Sequence, residues 1–265
     1  PTFYQSLAAG GMAGTAVDLL FFPIDTVKTR LQSSQGFVKA GGFKGIYKGV
    51  GSVVVGSAPG AALFFCTYDT LKHNSPLPPH LASLTHMLSA SVGEVTACLV
   101  RVPTEVIKTR MQTATYGSLA RSSFSAARLV FEQQGIRGFY RGFGITVMRE
   151  IPFTSLQFPL YEQLKVRLAN SLGRRLHAYE AAACGSFAGA FAAAATTPLD
   201  VLKTRVMLDM RDAKQQLPSL ATRLRNIYVN EGASALFAGV VPRTLWISAG
   251  GAVFLGVYEY AVREL

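Results

Sequence analysis

PIDTVKTRLQ, residues Pro23 to Gln32, occurs three times in this chain with small changes: again as PTEVIKTRMQ from Pro103 to Gln112, and as PLDVLKTRVM from Pro198 to Met207. The offsets are 80 and 95 residues. A second string follows each copy: GFKGIYKG ending at Gly49, EQQGIRGFYRG ending at Gly142 and EGASALFAG ending at Gly239. A third closes each unit: YDTLK from Tyr68, YEQLK from Tyr161 and YEYAV from Tyr258. Three ordered matches in three places mark an internal repeat, and a repeat of this length is one supersecondary unit that buries its apolar face against its neighbours. The spacing divides the chain into repeats over 1–73, 81–168 and 178–265, which together form one functional domain.

Around these strings lie six apolar stretches, near 3–31, 51–72, 81–111, 143–168, 178–206 and 240–263. Each is long enough for the roughly 20 residues that cross a bilayer. They are rich in Gly, Ala and Ser, which let membrane helices approach closely; Gly10 and Gly14, and Gly185 and Gly189, form GxxxG pairs. Only 15% of the 265 residues are charged, against about 25% in typical soluble domains, and the mean hydropathy is +0.28. The reading is an all-α membrane protein of six transmembrane helices in three pseudo-threefold repeats. A short amphipathic helix is expected in the polar connection inside each repeat. Each motif proline falls within a long apolar helix and should kink it.

The net charge of +11 is distributed unevenly: eighteen of the 26 Lys and Arg lie in the three stretches after the odd-numbered apolar segments. The positive-inside rule places those stretches on the inner side and both termini on the opposite side. No nucleic-acid motif accompanies the basic balance, so anionic lipid is the better partner class. Cys66, Cys98 and Cys184 form no CxxC and sit in apolar stretches, where small packing residues are the expected role. No metal, phosphate-loop, dinucleotide or nucleophile-elbow pattern occurs, so no catalytic residue, cofactor or metal is expected. No signal peptide is expected ahead of the first segment, and targeting information is expected to be internal.

Several ionisable residues fall within the apolar stretches, where such groups usually face an interior and act there. Asp25 and Lys28, Glu105 and Lys108, and Asp200 and Lys203 are each three apart, hence neighbours on one helix face; the plainer alternative is a solvated set of helix-end charges. Asp18 lies five residues before Pro23. Glu94, Cys98 and Arg101 share a face by their i, i+4, i+7 spacing, and Cys98 stands in the repeat position of Asp18, so that face should line an internal cavity. Glu94 is either a ligand contact or the partner of Arg101. Arg149 and Glu150 pair with each other or offer a guanidinium fork and a carboxylate to a ligand. Trp246, Phe64 and the Gly56–Pro59 surface are candidates for a planar ring, and Gln157 for a polar contact. Gly49, Gly142 and Gly239 each precede a helix, and a helix N-terminus suits a phosphate.

Over essentially the whole chain the three sets of strings resemble the signature of the mitochondrial carrier family, which is Pro-x-[Asp/Glu]-x-x-[Lys/Arg]-x-[Lys/Arg] followed by an acid-glycine pair and an aromatic-basic-glycine. The resemblance implies an inner-membrane carrier with one central site and alternating access, and no enzymatic activity. It implies a matrix gate of Asp25 with Lys108, Glu105 with Lys203 and Asp200 with Lys28, braced by Gln32 and Gln112, with Met207 in place of a third glutamine. A cytoplasmic gate of Asp69, Lys72, Glu162, Lys165 and Glu259 is implied at the other end, with Tyr68, Tyr161 and Tyr258 as candidate braces. Asp69–Lys165 and Glu259–Lys72 are its expected pairs, and Val262 stands where a third base belongs. Arg149-Glu150 matches the position that marks amino-acid-type substrates, and the three glycines match lipid sites, cardiolipin being the expected lipid. A monomer is expected.

KTRLQSSQGFVKAGGFKGIYKG (28–49), GEVTACLVRVPTEV (93–106) and REIPFTSLQFPLYE (149–162) resemble those members that carry S-adenosylmethionine. Import of S-adenosylmethionine against export of S-adenosylhomocysteine is the expected exchange. The charge inventory agrees: Asp18, Glu94 and Glu150 face a ligand with an ammonium and a sulfonium, and Arg149 its carboxylate. Carriage of another amino-acid-like cation, such as a basic amino acid or acylcarnitine, and a proton leak are the alternatives.

Overall fold

In a computed structural model the chain is described over residues 3–73, 82–117, 119–120, 122–174, 176–210 and 218–250. Long helices dominate: α1 (Phe3–Gln32), α2 (Val50–His73), α3 (Ala82–Gln112), α5 (Phe143–Leu172), α6 (Ala178–Ala195) and α7 (Thr197–Leu208). Residues 240–250 are also helical. Three further helices, α4 (Ser123–Phe139), α8 (Leu220–Glu231) and α9 (Ala233–Leu236), lie in the connections. The expected short helix is present in the second and third repeats. In the first, residues 33–49 run instead through turns. Five glycines there, Gly36, Gly41, Gly42, Gly45 and Gly49, take positive φ, a conformation that interrupts a helix.

The motif prolines act differently in the three repeats. Pro23 and Pro103 sit inside unbroken helices. At Pro198 the helix breaks: α6 and α7 meet at 61°, with Thr196 between them closing α6. Proline at the start of α7 removes a donor that has no helical partner there anyway.

A ring of side-chain-to-backbone bonds ties the repeats together. Arg30 Nε donates to the Gln112 carbonyl at 2.7 Å, Arg110 Nε to that of Met207 at 3.1 Å and Arg205 Nε to that of Gln32 at 3.2 Å. Each caps the orphan carbonyls at the end of the next odd helix. The rest of each guanidinium reaches into its own repeat's connection. Arg205 Nη2 meets Glu231 at 2.6 Å, and this bond holds the Glu231 carboxyl below the usual carboxylate range. Arg110 uses Gln134 at 2.7 Å, and Arg30 the Gly42 and Gly45 carbonyls. The acid of the acid-glycine pair thus survives only in the third repeat.

Small residues set the helix spacing. A Cβ on Gly56 of α2 would lie 2.4 Å from Thr104 Cγ2 of α3, and one on Gly189 2.9 Å from Ile247. Leu20, Val55, Ile151, Phe158 and Phe187 are exposed on the outside, while charges line the interior. That inverted distribution suits an apolar surrounding. By length and composition one described helix, Val50–Leu71, is apolar enough by itself to cross a membrane, and α6 with α7 qualify together. The charged residues that face the interior lower the hydropathy of α1, α3 and α5.

Candidate functional site

A cavity of about 560 Å³ lies between α1, α2, α3, α5, α7 and the 240–250 helix, within the roughly 300–1,000 Å³ usual for small-molecule sites. One end is closed by six charges. Lys28 Nζ meets Asp200 Oδ2, Lys108 Nζ meets Asp25 Oδ2 and Lys203 Nζ meets Glu105 Oε2, each at 2.7 Å. All three pairs join different repeats. Each acid lies one helical turn before the base of its own helix, so pairing from repeat to repeat turns three i, i+3 couples into one closed ring.

The two glutamines sit behind this ring. Gln32 Nε2 donates to Asp200 at 2.9 Å and Gln112 Nε2 to Asp25 at 3.1 Å. Glu105 lacks the equivalent support because Met207 replaces the third glutamine; Met207 instead packs with Cys98, Val102 and Val106. Pairs of this kind lose hydration on forming, and their mutual attraction roughly offsets that cost.

Above the ring, Asp18 lines the cavity and accepts a bond from Ser57 Oγ at 3.1 Å. It is the one lining acid for which no ion pair is found among the described residues. Glu94 is paired with Arg101 at 2.6 Å, which realises the second of its two expected roles. Arg149 lines the cavity, whereas Glu150 is bonded to Arg149 and stands behind it. Trp246, Phe64, Gly56 and Ser57 line the cavity as well.

Some expectations are corrected. Cys98 shares a helical face with Glu94 and Arg101 yet is fully buried. It packs against Val102 and Met207 because α7 covers that part of α3. Gln157 does not line the cavity; its amide lies near Gly189 of α6. The charge inventory changes too: Arg101 and Arg243 join Arg149, so five acids face six bases. Arg243 is the lining residue that sequence reasoning passed over as one more basic residue of a connection. Its position inside an apolar stretch, beside Pro242, was the available signal.

At the far end, among the described residues, the pairing expected for the second ring is absent. Lys165 bonds Glu162 of its own helix at 3.1 Å and lies 4.7 Å from the Tyr161 ring centre; the expected Asp69–Lys165 pair is not formed. Tyr68 stacks on Phe64 at 6.1 Å. Tyr258, Glu259 and the side chain of Lys72 lie outside the described residues.

The three glycines that end the second string of each repeat share one geometry. Gly49, Gly142 and Gly239 have φ of +92°, +90° and +75°, and each is followed by a helix. A Cβ on them would meet Met111 at 3.0 Å, Met207 at 3.0 Å and Lys28 at 3.2 Å. Each therefore packs against the end of the next odd helix, leaving a helix N-terminus beside it.

The comparisons with known proteins follow the same threefold division. The sequence profile of a family described as mitochondrial carrier protein matches residues 1–76, 79–172 and 174–265. The mitochondrial carrier named PET8 of Eremothecium gossypii is 53% identical, over 100% of this chain and 98% of its own. The mitochondrial S-adenosylmethionine carrier protein of Mus musculus is 49% identical, over 98% of this chain and 94% of its own. The protein of the same name in Danio rerio is 49% identical, over 99% and 98%.

Proposed function

The chain belongs to the mitochondrial carrier family, and from that premise we propose that it carries S-adenosylmethionine into the mitochondrial matrix in exchange for S-adenosylhomocysteine. The observation that carries this reading is 49% identity, along nearly the whole chain, to proteins named for S-adenosylmethionine carriage. The cavity supports it chemically. Asp18, which has no ion-pair partner among the described residues, is an acid for the sulfonium or ammonium, Arg149 is a fork for the carboxylate, and Trp246 and Phe64 offer aromatic surface for the adenine.

In this reading the three repeats act as one transport domain with six spans of the inner membrane and both termini on the intermembrane-space side. The ring of Asp25, Lys28, Glu105, Lys108, Asp200 and Lys203 is the matrix gate, closed here. The outer gate forms in the opposite state, when Lys165 exchanges Glu162 for Asp69 and Glu259 meets Lys72. Two such states need to lie within a few kcal/mol of each other. Gly49, Gly142 and Gly239, each at a helix N-terminus, are the sites where an anionic lipid such as cardiolipin binds the monomer.

The test is uptake of labelled S-adenosylmethionine into liposomes containing the purified protein, with and without internal S-adenosylhomocysteine. Saturable uptake that requires the internal substrate is expected. Uptake competed better by a basic amino acid or acylcarnitine would replace the substrate, and flux of protons without any counter-substrate would replace the exchange.

A further inference from the structure

Arg243 is 2% exposed and yet lines the cavity. Its Nη2 donates to Thr196 Oγ1 at 2.9 Å, and its guanidinium carbon lies 5.9 Å from the centre of the Phe153 ring. Its Nη1 is buried with no hydrogen-bond partner and stands 3.9 Å from Asp200 Oδ2. Arg149 presents the same picture from α5. One nitrogen is bonded to Glu150, and Nε is buried without a partner, 3.9 Å from Asp200 Oδ1. Two guanidinium donors on different helices thus point at one carboxylate and bond it at neither oxygen. Asp200 is already committed, at 2.7 Å to Lys28 and 2.9 Å to Gln32.

A buried guanidinium nitrogen that makes no hydrogen bond is costly, even with a carboxylate 3.9 Å away, and native proteins rarely keep one without a use. Here two occur side by side. Three cations, Lys28, Arg149 and Arg243, gather around Asp200 and Glu150, so this corner holds one positive charge more than it can neutralise. A carboxylate is the ligand that completes both arginines and balances the charge. On the α1 side of the cavity the unpaired group is Asp18, which suits the cationic end of the same molecule.

We propose that Arg243, together with Arg149, forms a two-armed site for the substrate carboxylate, and that filling it draws both arginines away from Asp200. Loading the cavity then alters the surroundings of the Asp200–Lys28 pair, so the carboxylate is sensed at the ring. The proposal deepens the S-adenosylmethionine reading and rests on it.

The experiment compares S-adenosylmethionine with its decarboxylated amine as competitors of uptake, in the parent protein and in Arg243→Lys and Arg243→Gln. Ligand-induced thermal stabilisation of the purified proteins serves as a second readout, which a variant that binds without transporting still reports. In the parent the decarboxylated compound should bind about tenfold more weakly or worse, the worth of a charged hydrogen bond. Both variants should lose most of that discrimination while retaining the amine, and Arg243→Lys, which keeps the charge and loses the fork, decides the matter if the glutamine variant does not fold. Parent-like discrimination in Arg243→Lys, or equal loss of both compounds, overturns the proposal. If the parent carries a different amino acid, the S-adenosylmethionine reading fails separately. The same comparison, made with that amino acid and its own amine, still tests Arg243.

Discussion

Arg149 illustrates how one side chain in the cavity is held. Glu150 bonds it from behind and Asp200 lies 3.9 Å from its Nε, so its planar fork is aimed by two acids. Lysine would keep the charge and lose the second donor arm. Arg149→Lys is therefore expected to lower S-adenosylmethionine uptake about tenfold at limiting substrate; parent-like uptake would remove the carboxylate-fork role. The ring residues differ in a way their sequence motif conceals. Asp25 has one cation and one glutamine as close partners, whereas Asp200 has Arg149 and Arg243 nearby as well. Breaking either pair alone should cost about 3–5 kcal/mol in the closed state. Reversing charges should behave differently at the two places. Asp25→Lys with Lys108→Asp should recover much of the transport lost in the single variants. Asp200→Lys with Lys28→Asp should recover little, because the new lysine faces two arginines. Equal rescue of both pairs in the uptake assay would show that the arginines do not matter to the ring.

At the scale of the helix, contact distance is set by glycine rather than by large apolar side chains. Gly56 admits Thr104 so closely that a Cβ would sit at 2.4 Å, and the threonine is itself bonded to the Arg101 carbonyl at 2.8 Å. Gly56→Val should overpack the α2–α3 contact by about 1–3 kcal/mol and lower the melting temperature of the detergent-solubilised protein. Gly60, on the same helix, has nothing within 4 Å of its would-be Cβ, so Gly60→Ala should be neutral or slightly stabilising through helix propensity. A drop of equal size in both would mean that general helix disturbance, not the close approach, is being measured. The break between α6 and α7 is the other distinctive element feature. It brings Thr196 to Arg243, and so links the bend to the cavity floor.

For the whole molecule, the lining charges nearly balance, five acids against six bases, so the protein does not itself neutralise a cationic substrate by a large acidic excess. S-adenosylmethionine carries one more positive charge than S-adenosylhomocysteine. In the proposed exchange of one for the other that charge crosses the membrane, and a potential negative inside would favour import by about 2.3 kcal/mol per 100 mV. Under a potassium gradient set with valinomycin, import against internal S-adenosylhomocysteine should accelerate at negative internal potential and slow at the reverse polarity. Indifference to both polarities would mean that a compensating ion travels with the substrate.

The sequence by itself determined the threefold repeat, the helical class and the three acid–base couples, because a string recurring at Pro23, Pro103 and Pro198 carries its helical register with it. Which residues share a face of one helix follows from that register. What covers the face does not, since it depends on how neighbouring helices are rotated and where they bend. Tertiary structure alone therefore decided that α7 buries Cys98, that Gln157 turns toward α6, that Glu94 is taken by Arg101 and that Lys165 stays with Glu162. It also decided that residues 33–49 form turns, where glycines at positive φ outweigh the repeat's preference for a helix. Arg243 belongs to the same class. Its sequence neighbours say only that it follows a proline, and its closeness to Arg149 and Asp200 exists only once three helices from two repeats converge on the closed end of the cavity.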